Sequence, residues 1–396
     1  MKIAIVVPGR FHALQVANGL IRRGHEVTLF TNCPPGYIAR FDPTVKDVRS
    51  CLPHAALSKA TNLLPGAGLR KYYESRLCAL FGHWAAREVR PGDWDCVHCY
   101  SGVSKELLEN LAGTNTPTLL FRGSSHIRTQ ARLLREESAR TGAVIDSPGD
   151  WMVEREEREY QLATKILTLS SFAERTFVEE GVSPERLVML PLGVNDALFR
   201  ASDKTVEERS RRILSGAPLR ILYVGALSMR KGCWDLVEMM RRVPAGRFEW
   251  NLIGQVTPEV RPLVPELRKH ARLISPQPHA ELQKWYAEAD LFLFPTIEDG
   301  FASVLIEAQA NALPLVTTTN CAGPDLVSHE RNGWILPVRD PAAFVNCLHW
   351  ADEHRTSLAE MTWHIHQNGR LRTWDHAAAD FETIAFSLRA NHHASC

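Results

Sequence analysis

Residues 2–7 form a nearly unbroken β-branched run, the pattern of a parallel strand buried on both faces. Pro8-Gly9-Arg10 turns the chain, and Leu14, Ala17, Leu20 and Ile21 then recur at helical spacing until Gly24 stops the helix. Residues 27–31 read as the next strand. This β-α-β opening puts its first loop at the carboxyl end of a strand, where α/β folds bind ligands. Further strands are expected at 96–99, 118–121 and 166–170, separated by helical stretches.

After Pro191-Leu192-Gly193 the pattern changes to a polar, charge-mixed stretch at 203–212, followed by Ser215-Gly216-Ala217-Pro218. The connection between two domains is expected there. The alternation then restarts. Strands are predicted at 219–224, 250–253, 272–274, 291–294 and 315–318, and helices at 234–242, 280–289 and 303–312. Asp340-Pro341 reads as an N-cap followed by proline in the first helical position. The fold class is α/β, with two doubly wound halves in tandem. Residues 1–200 form the first and 201–371 the second.

The 396 residues are too many for one ordinary core, which agrees with two domains. Lys and Arg number 46 against 45 Asp and Glu, so a net charge of +1 provides no general field for nucleic acid. Pro8 interrupts the first apolar stretch too early for a signal peptide or a spanning helix. The nine cysteines are scattered and odd in number, so reduced thiols in the cytoplasm are expected rather than a disulfide framework. Cys96 and Cys99 form a C-x-x-C inside a strand rather than at a helix start, so they are read as structural. His392, His393 and Cys396 lie in the tail and receive no role.

Chemistry concentrates in Pro295-Thr-Ile-Glu-Asp-Gly-Phe-Ala-Ser-Val-Leu-Ile-Glu307. A buried strand ends at Pro295, an acidic glycine loop follows, and a helix opens near Ser303, offering unpaired N–H groups to a diphosphate. Gly300 lets backbone approach a ligand. Glu307 lies about one turn inside the helix with Ser303 and Asn311 on its face, while Val304, Ala308 and Ala312 form the packing stripe. Carboxylates beside a phosphate site suit a sugar nucleotide, whose hydroxyls donate hydrogen bonds to Asp299 and Glu307. The other reading is a solvated acidic turn. A second element favours the first: Gly225-Ala-Leu-Ser-Met-Arg-Lys-Gly232 follows a strand and offers Arg230 and Lys231 to a leaving diphosphate. Neither G-x-G-x-x-G nor a Walker loop occurs, which disfavours a dinucleotide oxidoreductase.

These motifs together resemble glycosyltransferase family 4, retaining enzymes of the GT-B fold, over nearly the whole chain. Gly225…Arg230-Lys231-Gly232 looks like the family's phosphate loop, and Asp299-x7-Glu307 matches its Glu-x7-Glu signature in spacing. Ser170-Ser171-Phe172, Leu190-Pro191-Leu192-Gly193-Val194, Gly323-Pro324-Asp325 and Asn332-Gly333 resemble flanking segments of relatives. The resemblance implies that Glu307 binds the donor ribose. Asp299 and the amides of Gly300, Phe301 and Ala302 would hold the sugar and its phosphates, and Gly9 would approach from the first domain. Lys231 and Arg230 would neutralise the diphosphate, so no metal or other cofactor is implied. Asp299 stands where the family has Glu, with Glu298 able to compensate for its shorter reach. Ala226 replaces a common Arg. The first-domain histidine of many relatives falls at Arg122, and His126 four residues on is taken as the catalytic imidazole, with Arg122 second.

The resemblance implies retention; with no dedicated carboxylate nucleophile, front-face attack is expected, with a glycan or lipid-linked acceptor bound to the first domain. Residues 59–90 carry Lys59, Arg70, Lys71, Arg76, Arg87 and Arg90 among Leu63, Leu64, Leu69, Tyr72, Tyr73, Leu77, Leu80, Phe81 and Trp84. They read equally as a surface for an anionic membrane or as domain helices with a solvated face. The last helix, from about residue 372 to 396, would cross back onto the first domain with Trp374 as its anchor. A GT-B epimerase or phosphorylase, or a non-catalytic sugar-nucleotide binder, remain the alternatives.

Overall fold

The structure, a computed structural model, describes residues 1–62 and 67–394. Seven parallel strands form the first sheet: β1 (Lys2–Val7), β2 (Glu26–Thr31), β3 (Val48–Ser50), β4 (Cys96–Tyr100), β5 (Thr118–Phe121), β6 (Lys165–Thr168) and β7 (Leu187–Met189). Their order is β3-β2-β1-β4-β5-β6-β7. Six more form the second: β8 (Leu219–Val224), β9 (Phe248–Ile253), β10 (Ala271–Ile274), β11 (Leu291–Phe294), β12 (Leu315–Thr318) and β13 (Gly333–Leu336), ordered β10-β9-β8-β11-β12-β13. β1 pairs with β2 through Ile3–Val27 and with β4 through Ile3–Cys96, so both its edges are paired; Ile3, Ile5 and Val7 enter one core and Ala4 and Val6 the other, all fully buried. That is why its sequence is continuous rather than alternating.

The unexpected strands β3, β7 and β13 each lie at an end of a sheet and span three or four residues. Such short edges lack the apolar run that marks a central strand.

Within the expected connection, the 203–212 stretch is a regular helix. It forms the Asp203–Leu214 helix, opened by Ser202, whose hydroxyl accepts from the Thr205 amide at 3.2 Å, and packed on the Arg355–Asn368 helix. Arg209 is fully buried there, donating to the carbonyls of Tyr286, Ala289, Asn311 and Ala312 at 2.7–3.0 Å. A charge satisfied by main-chain oxygens reads as solvent-facing in sequence alone, which is why the stretch looked like a linker.

The Trp374–Ala394 helix lies against the Ala13–Arg22 helix, and a Cβ on Gly19 would overlap that of Ala378. Where the chain returns, Val194 donates to the Arg372 carbonyl at 2.9 Å, and Gly193 has no room for a side chain against Thr373 and Trp374. The two passages between domains thus run side by side. Asp340 caps the Pro341–Glu353 helix by accepting from Ala343 at 3.0 Å.

Cys96 and Cys99 are buried on opposite faces of β4, in separate cores, and burial pushes the Cys96 thiol up to about 12. They are structural. In the 59–90 segment, Phe81 is fully buried and Trp84 packs on the second core, while Tyr72, Tyr73 and Arg76 are exposed. Leu63 and Leu64 lie outside the described residues, as do the side chains of Leu69, Arg70 and Lys71. So do the side chains of His392 and His393, and Cys396. Among the described residues no helix is long and apolar enough to cross a membrane.

Candidate active site

In both sheets the strand order reverses once, between β1 and β4 and between β8 and β11. Open α/β sheets bind ligands at that switch point, outside the carboxyl ends of the strands. Here the two crevices face each other and enclose a cavity of about 450 Å³. Pro8, Phe11, His12, Tyr100 and Arg122 line it from the first domain, and Gly225, Lys231, Asp299, Ser303 and Val304 from the second.

The second-domain wall is built from two loops locked together. Gly225 (φ +148°) ends β8, and the Ser228 hydroxyl accepts from the Lys231 amide at 3.3 Å to close a turn over Met229–Lys231. Gly232 follows in the left-handed region, where a Cβ would strike the Pro295 carbonyl. This close approach brings Lys231 to the end of β11. Its ammonium pairs with Asp299 and donates to the Glu298 carbonyl at 3.2 Å. Burial alone would raise the Asp299 carboxyl, but Lys231 and Arg230 beside it more than offset this and hold it ionised below its ordinary range.

Asp299 Oδ1 accepts from the amides of Phe301 and Ala302 at 3.0 and 2.9 Å. Those two amides, on residues of the cavity wall, are thus already engaged by Asp299. The helix's first turn also presents the amides of Ser303 and Val304, both residues of the wall. Val304 is half-buried, packing against the core as expected while also forming part of the cavity wall. Gly300 packs tightly at the domain contact. A Cβ there would overlap the Gly123 carbonyl, and its own carbonyl accepts from the Ser170 hydroxyl at 2.6 Å.

Glu298 and Arg230 also leave the expected site. Glu298 is fully buried and reaches across to the first domain, accepting from the Ser125 amide at 2.8 Å, the Ser125 hydroxyl at 2.9 Å and Gln130 at 3.2 Å. Arg230 pairs with it at 2.8 Å and donates to the Ser124 hydroxyl at 2.8 Å. Neither lines the main cavity; they tie the domains together behind it. In the same interface, Asp325 accepts from the Ser171 amide at 2.9 Å, joining two of the segments noted above.

His126 is not at the cleft. It is the N-cap of the Ile127–Thr141 helix, accepting from the Arg128 amide at 3.3 Å with its ring between Tyr160 and Phe177, each 5.0 Å away. Its proximity in sequence to a strand end misled, because the chain turns inward after Ser124. Arg122 does line the cavity, but its guanidinium is held by Glu156 at 3.2 Å and Gln130 at 2.8 Å. Gly9 (φ +147°) shapes the β1 loop without lining the cavity itself. The imidazole that reaches the wall is His12, three residues later, which sequence reasoning missed. Its signal was its place at the start of the first helix, after the glycine loop of a ligand-binding β-α unit. Tyr100 and Ser101 at the end of β4 were missed too. The carboxylate of Glu159 supports that loop, accepting from the amides of Gly102 at 2.6 Å and Ser104 at 2.8 Å.

Glu307 lies beyond the cavity wall, buried, accepting from the Tyr286 hydroxyl at 2.9 Å. Burial raises its carboxyl to about 7. Because the folded value exceeds the unfolded one, the stability this group contributes is complete below the ordinary carboxyl range and is lost as pH rises through about 7. Glu307→Gln is expected to melt with wild type at pH 5 and above it at pH 8. A difference independent of pH, measured by calorimetry, would contradict this burial effect. Among the described residues no group of three or more His, Cys, Asp or Glu is placed to hold a metal ion.

Two parallel α/β domains facing across a switch-point cavity define the GT-B class. HepE from Anabaena, solved in complex with UDP and glucose, shares the fold with a TM-score of 0.67 and 13% identity, over 98% of this chain and 100% of that one. Residues 10–193 match the glycosyl transferase 4-like domain, and residues 218–351 match glycosyl transferases group 1. The chain belongs to this glycosyltransferase family. It is 25% identical over 195 residues to the amylovoran biosynthesis glycosyltransferase AmsK of Erwinia amylovora, a match covering 46% of each chain. It is thus matched to just under half the length of that relative. With a D-inositol 3-phosphate glycosyltransferase of Jonesia denitrificans it shares 23% identity over 94% of this chain and 89% of the relative.

Proposed function

We propose that this protein transfers a sugar from a nucleoside-diphosphate donor to a hydroxyl of a glycan or lipid-linked acceptor, with retention and without a metal. One observation carries the reading: Lys231, Asp299 and the first turn of the Ser303–Ala310 helix converge on one wall of a cavity whose other wall is the first domain's strand-end loops. A cation and a helix N-terminus together suit a diphosphate. The HepE complex with UDP and glucose and the polysaccharide role in the name of AmsK support the same substrate classes.

Breaking the anomeric carbon–oxygen bond sends its electron pair to the diphosphate and leaves oxocarbenium character on the sugar. Fixed positive groups at the diphosphate lower that barrier more than any other single effect. Lys231 supplies the charge that a divalent cation would otherwise provide. Among the described residues, Asp299 is the one carboxylate on the cavity wall. It is already engaged by Lys231 and two amides, so it is poorly placed as a nucleophile. That favours attack from the face the diphosphate leaves. The acceptor oxygen bonds to the anomeric carbon there, and its proton passes to the departing phosphate oxygen.

The test is a melting-temperature screen against UDP-, GDP- and dTDP-sugars, followed by product analysis. A donor at a hundred times its Kd should stabilise the fold by about 2.7 kcal/mol. Absence of any shift would reject nucleotide-sugar binding, an inverted product anomer would reject retention, and turnover without an acceptor alcohol would favour the epimerase reading. Donor binding without turnover would favour a non-catalytic binder.

A further inference from the structure

The guanidinium of Arg122, at the end of β5, is tied to Glu156 and Gln130, and His126 is turned into the core. The cavity nevertheless has an imidazole. His12 sits at the N-cap position of the Ala13–Arg22 helix, yet its side chain does not cap that helix. Among the described residues its ring nitrogens have no hydrogen-bond partner. The ring is held by stacking on Trp374 of the C-terminal helix, 5.5 Å between centroids and 27° between planes. It forms part of the cavity wall.

Three further observations give this ring a direction and a ligand. First, Asp299 lines the same cavity, and its carboxylate is the charge that acts most strongly on His12. With the diphosphate at Lys231 and Ser303, the space between Asp299 and His12 is where the adjoining sugar must lie. Second, burial lowers the imidazole to about 4, so at neutral pH one ring nitrogen carries a lone pair and can accept a hydrogen bond. Third, the neighbouring Tyr100, also on the wall, is 6% exposed and its buried hydroxyl has no partner among the described residues. Polar groups left unpaired inside a fold are costly, and a cluster of them on a cavity wall points to a polar ligand.

We infer that His12, held by Trp374, accepts a hydrogen bond from a hydroxyl of the donor's sugar. The inference rests on the proposed nucleotide-sugar reading and adds a residue to it. His12 is a contact to the transferring sugar, with no proton moved.

The experiment separates the sugar from the nucleotide. Calorimetric affinities are measured for UDP and UDP-glucose, and for GDP and GDP-mannose, on wild type, His12→Phe and His12→Gln. The phenylalanine keeps the stack on Trp374 and removes the acceptor, whereas glutamine retains an acceptor oxygen. The nucleoside diphosphate alone should bind all three proteins within twofold. The extra affinity conferred by the sugar should fall about tenfold in His12→Phe and stay within threefold in His12→Gln. If the phenylalanine variant does not fold, His12→Leu makes the same comparison. Deoxy analogues of the sugar give a second readout, since removing the contacted hydroxyl should weaken wild type tenfold and leave His12→Phe unchanged. An intact sugar increment in His12→Phe, or equal sensitivity of both proteins to every deoxy analogue, overturns the inference while the nucleotide-sugar reading stands. Failure of wild type to bind any of the four ligands overturns both.

Discussion

Lys231→Met is expected to lower kcat for sugar transfer by about two to three orders of magnitude, on the order of 3 kcal/mol of transition-state stabilisation. The reason lies in how the ammonium is held. Gly232 and the Ser228 cap force the loop onto Pro295, so the charge stands at the carboxyl end of β11 before any ligand arrives. Asp299 shares it, and the amides of Phe301 and Ala302 share Asp299, which spreads the charge without neutralising the site's capacity for a phosphate. The methionine also leaves Asp299 with only its two amide donors. A double variant, Lys231→Met with Asp299→Asn, separates that loss from the loss of the cation. Steady-state kinetics with the donor that most stabilises wild type supplies the measurement. Retention of more than a tenth of wild-type kcat in Lys231→Met would show that the diphosphate's charge is met elsewhere.

Glu298→Ala should produce the largest loss of stability, about 3–5 kcal/mol, because removing one member of a buried pair leaves the other uncompensated. Here the orphans are Arg230 and the Ser125 amide, on opposite sides of the domain interface. Burial disfavours the Glu298 carboxylate, but the adjacent Arg230 and Lys231 charges outweigh this and keep it ionised. The damage should therefore appear as domain separation as well as a lower melting temperature. Secondary ties remain, such as Arg140 with Asp235 at 2.8 Å and Arg339 with Glu137 at 3.0 Å. Glu298→Gln, which can still accept from Ser125, should fall between wild type and the alanine. Small-angle scattering reports the separation directly. An unchanged radius of gyration and melting temperature in Glu298→Ala would mean that the tie carries no net energy.

Reading the chain alone determined the two doubly wound halves, most central strands and both loops of the second-domain wall. Central parallel strands must be apolar on both faces, and tight loops need glycine, so β1, β8, β11, Gly225 and Gly232 left a local imprint. The pairing of Lys231 with Asp299 was within reach for the same reason, since each follows a recognisable strand. Edge strands β3, β7 and β13, too short for a pattern, were not.

Only the tertiary structure decided which charged groups meet a ligand and which hold the protein together. Glu298 and Asp299 are adjacent in sequence, yet one reaches the first domain and the other the cavity; Arg230 and Lys231 divide in the same way. Neighbouring side chains in a loop point in different directions, and the partner that claims each lies more than sixty residues away. His12 reaches the cleft and His126 does not because exposure there depends on how a helix start packs, against Trp374 in one case and between Tyr160 and Phe177 in the other. No local pattern encodes contacts that long-range.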